Sequence, residues 1–148
     1  MKQIMYTMQF KGQAAPTNEE GTVLKAHTSS PSCRITTTVG ADGLSGTLQP
    51  TEGREATFES EVRITGEGLF DENGTITFGT GNRLHFSTVG QGHLGPSADP
   101  QLQHGTVMWK IDRGEGQFEG ATGLITSNFF VGDGGEVTDH HFGVIFLK

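Results

Sequence analysis

A chain of 148 residues matches one domain, large enough to bury about two-thirds of the surface its unfolded form exposes. It carries 17 acidic against 10 basic residues, a formal charge of −7, and the basic residues fall singly from Lys2 to Lys148, leaving no footprint for nucleic acid or an anionic membrane surface. Its 23 glycines beside 5 prolines, roughly twice average glycine usage, imply many tight turns, and no apolar run approaches the ~18 residues needed to cross a bilayer.

The opening segment, Met1 to Gln9, alternates polar and apolar residues and builds no signal-peptide core. Ile4, Tyr6, Met8 and Phe10 place four large side chains on one face of a first strand. Gln13 to Gly21 reads as a surface loop. Cys33 is the only cysteine, so no intrachain disulfide can form, and a cytoplasmic location is expected. Asp42-Gly43 is a tight turn. Phe58, Ser60, Val62 and Ile64 then share one face of a strand, with Thr57, Glu59, Glu61, Arg63 and Thr65 on the other. Glu72-Asn73-Gly74 has the chemistry of a second turn and Gly79-Thr80-Gly81-Asn82 that of a third. Strands follow at Ile76 and Phe78, at Leu84 and Phe86, and at Val107, Trp109 and Ile111. Between the last two, Gly90 to Gln103 with its Gly-Pro-Ser-Ala-Asp-Pro run reads as a long loop covering one end of the fold.

In the C-terminal third both strand faces are apolar. Leu124 and Phe130 oppose Ile125, Phe129 and Val131, and Phe142 to Leu147 repeat the pattern after a turn at Asp133-Gly134-Gly135. A strand apolar on both faces must be covered twice, by a packed loop or by another subunit; the favoured expectation is the subunit, giving a homo-oligomer, a homodimer, joined through the C-terminal strands. No window shows helical periodicity. The expected fold is all-β, one domain over residues 1–148: a closed antiparallel β-barrel of about eight strands, since closure removes exposed edges, with a two-sheet sandwich as the alternative.

Several motifs are discounted on physical grounds. Gly90-Gln91-Gly92-His93-Leu94-Gly95 matches the dinucleotide fingerprint, but no helix follows to hold a pyrophosphate. His140 and His141 are adjacent on a strand, point to opposite faces and cannot grip one ion, so no metal and no cofactor is expected. Glu59, Glu61 and Arg63 alternate against apolar partners and are expected to face water as a charged ladder. Cys33 has only Arg34 as a basic neighbour, and no nucleophile motif appears. What remains is a polar minority on faces assigned to the interior: Tyr6, Ser60, Asn128, and His140 ahead of Phe142, Val144 and Phe146. Of these, Tyr6, Asn128 and His140 are the expected binding residues for a small apolar ligand inside the barrel.

The most distinctive stretch is Gly114-Glu115-Gly116-Gln117-Phe118-Glu119-Gly120-Ala121-Thr122-Gly123. It resembles the G-x-G-x-F-x-G-A-x-G signature of allene-oxide-cyclase-like and dirigent-like barrels, and the whole chain is similar to bacterial families with that barrel. The glycines suit a closing hairpin: Gly114 and Gly116 at positive φ, Phe118 plugging the barrel end, Gly120 and Ala121 letting the next strand start close by. Cyclase chemistry, which the resemblance implies, needs a carboxylate inside an apolar cavity, and alternation assigns no Glu or Asp to an inner face. Three functions follow as expectations: a small-molecule binding barrel, a cyclase or isomerase using one acid or base such as His140, and a non-catalytic partner-binding protein.

Overall fold

In the computed structural model, which describes residues 1–148, the chain forms eleven strands: β1 (Lys2–Pro16), β2 (Val23–Ser30), β3 (Cys33–Gly40), β4 (Gly43–Pro50), β5 (Ala56–Gly66), β6 (Leu69–Phe78), β7 (Arg83–Thr88), β8 (Gly92–Pro96), β9 (Leu102–Glu115), β10 (Thr122–Gly132) and β11 (Glu136–Leu147). All pairings are antiparallel. The wall runs β1, β2, β5, β6, β7, β9, β10, β11 and returns to β1, closing an eight-stranded barrel. That closure excludes the sandwich. The stave between β6 and β9 is split: β7 pairs with Asn73–Thr77 of β6, while β8 pairs with Leu69 and Phe70. β3 and β4 pair only with each other, as an arm outside the wall.

The hairpin from β9 to β10 closes one end. Gly116 and Gly120 hold positive φ, a single 3-10 turn spans Gly116–Phe118, and buried Phe118 packs on Phe78 with ring centroids 5.3 Å apart. Gly114 serves differently from the expectation: its φ is ordinary, and a Cβ there would strike the Phe118 backbone. The barrel's middle is an aromatic layer of Phe10, Phe58, Phe86 and Trp109, all at 2% exposure or less. Phe86 and Trp109 lie 4.3 Å apart, and Phe58 and Phe86 stack at 5.5 Å.

Three local expectations change. Gln13–Pro16 belongs to β1, because its backbone pairs with β2 and only the stretch from Thr17 to Thr22 turns. Gly90–Gln103 is not one covering loop, since Gly92–Pro96 forms β8 within the wall. Glu72-Asn73-Gly74 is not a turn: β6 runs through it, paired with β5 on one side, and Asn73 and Gly74 also pair with β7. Gly74 is there because β5 passes so close that a Cβ would strike the Glu59 carbonyl and Ser60.

Candidate ligand-binding site

The end of the barrel opposite Phe118 is not filled. A cavity of about 270 Å³ lies there, lined mainly by apolar side chains such as Leu24, Val62, Phe70, Leu94, Phe129 and Val137, and it reaches the exposed Gly21 and Gln103. Two glycines shape its wall. A Cβ on Gly92 would overlap the Phe70 ring, and one on Gly105 would overlap Phe129. The two rings meet edge to face at 5.8 Å, so the glycines seat them flat against the strands. Gly92 thus has a packing duty unrelated to phosphate.

Two carboxyl groups line the cavity, Glu72 from β6 and Asp139 from β11. No Lys, Arg or His lines it. Glu72 is 7% exposed. Its position is fixed from both sides: the Thr88 hydroxyl donates to the Glu72 carbonyl at 2.7 Å and accepts from the Glu72 N–H at 2.8 Å, and the Ser60 hydroxyl donates to Glu72 Oε1 at 2.7 Å. Burial pushes the Glu72 carboxyl up to about 8 against the opposing Ser60 hydrogen bond, and the Asp139 charge adds to the rise. Glu72 is therefore a neutral acid at pH 7.

Asp139 heads a buried chain of hydrogen bonds. Ser127 Oγ donates to its Oδ1 at 2.6 Å and His141 Nε2 lies 2.9 Å from its Oδ2. A carboxylate only accepts, which assigns the imidazole proton to Nε2 and leaves Nδ1 to accept from the Tyr6 hydroxyl at 2.9 Å. Burial, and then the charge of Asp139, hold the Tyr6 hydroxyl well above its ordinary range, so it remains a donor. Two buried polar atoms lack partners altogether: Thr28 Oγ1, at the cavity wall, and Trp109 Nε1, which lies beside Glu72 without a hydrogen bond of normal geometry.

The expected binding residues do not converge. Tyr6 lies on the inner face, engaged with His141 in the packed middle and away from the cavity lining. Asn128 and His140 face outward, contrary to expectation, in one row with Gln9, whose Nε2 sits 2.9 Å from His140 Nε2. The inner face of β11 is instead Asp139, His141, Gly143 and Ile145. The reason is space: Phe10, Phe58 and Trp109 already crowd the interior around His141, leaving room there for small or polar groups, while Phe142 is 51% exposed on the outer face. The assignment that no acid points inward is overturned by Glu72 and Asp139. Glu72 was legible in the sequence, because stepping back by twos from Ile76 passes through Gly74 and Glu72 to Phe70. Glu59 points outward as expected, 3.2 Å from exposed His27, and Glu61 pairs with Arg63.

Comparisons with family models, curated proteins and solved structures found no match for this chain. No helix is long and apolar enough to cross a membrane.

Proposed function

We propose that the protein binds a small, largely apolar molecule in the open end of the barrel, and that the ligand is neutral or cationic. The observation that carries this reading is a buried, neutral carboxylic acid at the wall of an apolar cavity of about 270 Å³, near the lower end of the ~300–1,000 Å³ typical of ligand sites. With the Asp139 carboxylate and no cation in the lining, an anionic ligand would meet repulsion at low dielectric. A hydroxyl or amine instead finds an acceptor in Glu72 and an unpaired hydroxyl in Thr28, whose burial without a partner costs about 1–3 kcal/mol. The lone Cys33, without a disulfide, supports a reducing compartment such as the cytoplasm.

The test is a trio with one apolar body: 1-adamantanol, 1-aminoadamantane and adamantane-1-carboxylate, titrated by calorimetry and by emission of Trp109, the only tryptophan. The alcohol and amine should bind, and the carboxylate at least tenfold more weakly. Binding of none of the three, or equal binding of the carboxylate, overturns the reading.

A second reading is favoured by the pairing of Glu72 with Asp139. Two carboxyl groups in one pocket, one of them held neutral by burial, have the general form of an acid–base pair, which supports an isomerase or cyclase with Glu72 as proton donor, in place of His140. Resemblance of the closing hairpin to the allene-oxide-cyclase-like barrels points the same way. Under this reading Glu72→Gln retains ligand binding and abolishes turnover, and wild-type turnover falls as pH rises through about 8.

A further inference from the structure

Two surfaces of the fold have no partner within the chain. The arm pairs only with itself, and a lone two-stranded ribbon is marginally stable in water. Its pairs Ile35–Leu48 and Val39–Leu44 share one face, with Val39 82% and Leu44 76% exposed. From Ile35 to Gln49 the only charge is Asp42 in the turn, so the ribbon lacks the lysines that normally keep free edges apart.

The second surface is the outer face of β1, β11, β10 and β9. Met5, Val144, Leu124 and Lys110 form one row across it, and Thr7, Phe142, Thr126 and Met108 form the next. Neither these rows nor the adjoining row of His140 and Asn128 contains an Asp or Glu, in a chain of charge −7. The outer face of β5 and β6, by contrast, presents Glu59, Glu61 and Asp71. A second copy, itself at −7, is repelled least from the acid-free side. The arm also springs from that side, its base residues Cys33 and Leu48 bordering a hollow shared with Gln9 and Lys11 of β1.

Area decides whether the face suffices alone. Four strands at ~4.8 Å spacing and about seven residues of height project to ~400 Å², against ~800 Å² buried by each partner of a stable pair. An arm of eight-residue strands, ~26 Å long, supplies further contact of the same apolar chemistry.

We propose that the protein is a two-fold homodimer in which each copy lays its arm across the other's β1–β11–β10 face, Val39 and Leu44 against Met5, Leu124 and Phe142. A two-fold axis makes the exchange reciprocal, so arm and face are both satisfied in one closed assembly.

Light scattering of the wild-type chain should give twice 15.8 kDa, and any other mass overturns two-fold pairing. Val39→Asp with Leu44→Asp, and separately Phe142→Asp, should each yield a 15.8 kDa monomer with unchanged Trp109 emission; a persisting dimer in either overturns that surface's part. Because a charged variant can misfold, a second measurement uses Cys33→Ser chains. A copy carrying Val39→Cys mixed with a copy carrying Leu124→Cys should form an interchain disulfide on mild oxidation, and absence of that cross-link while the dimer persists overturns the arm-on-face contact.

Discussion

Glu72→Gln should change how stability depends on pH, and the size of the change follows from burial of one carboxyl group. The ordinary value of 4.5 applies to the unfolded chain, while the folded group titrates at about 8. Below 4.5 both states hold the proton and its contribution is fully present. Between 4.5 and about 8 folding takes up a proton, so stability falls as pH rises, by about 1.4 kcal/mol per unit. By pH 7 the loss is about 3–4 kcal/mol, and it nears 5 kcal/mol above pH 8. Glutamine keeps the shape and an oxygen to accept from Ser60 Oγ, but does not titrate. Urea unfolding of both proteins from pH 4.5 to 8.5, followed by Trp109 fluorescence, isolates this group, because all other ionisations are shared. The variant should gain on the wild type steadily across pH 5–7.5. For a chain of this size 1 kcal/mol moves the melting temperature by about 2–4 °C, so its relative gain in Tm by pH 7 is roughly 7–14 °C. A gap constant within about 0.5 kcal/mol over the whole range would refute a neutral buried Glu72.

Three further outcomes are expected. His141→Phe strips partners from both Tyr6 and Asp139 and should cost roughly 2–5 kcal/mol in chemical denaturation, whereas His140→Ala, on the outer face, should change stability by less than about 0.5 kcal/mol; equal effects would contradict the two placements. Gly105→Ala drives a Cβ into the Phe129 ring and should destabilise by about 1–3 kcal/mol, with adamantanol affinity falling as the ring tips into the cavity. Ala26→Leu adds volume at the cavity wall and should abolish adamantanol binding in calorimetry while leaving the melting profile cooperative.

Period-two alternation made the barrel legible, since one covered face and one wet face imprint themselves directly on β1, β5 and β9. It failed where that asymmetry fails. On β11 the outer residues Phe142, Val144 and Phe146 are larger and more apolar than the inner Asp139, His141 and Gly143, so parity read from hydrophobicity alone comes out inverted, carrying Asn128 and His140 with it. On β6 the Asn73-Gly74 pair mimics a hairpin turn, although Gly74 answers to the nearness of β5, and that turn signal masks the inner parity of Glu72. Asp139 was hidden for a further reason. A polar residue facing a cavity looks, in sequence, like a polar residue facing water. The arm left less trace still, because neither face of a free ribbon is buried by its own chain and only Asp42-Gly43 marked it.

The divided stave gives the barrel a joint. Elsewhere around the wall the staves are continuous strands of eight to fifteen residues, but between β6 and β9 the load passes from a six-residue strand to a five-residue one. Detaching β8 breaks its two paired positions with β6 and four with β9, a local opening that leaves the aromatic layer and closed end intact. Leu94 of β8 lines the cavity. The segment with the fewest bonds to lose therefore stands at the wall of the cavity, and under the proposed ligand-binding reading its detachment would let a ligand exchange without unfolding of the shell.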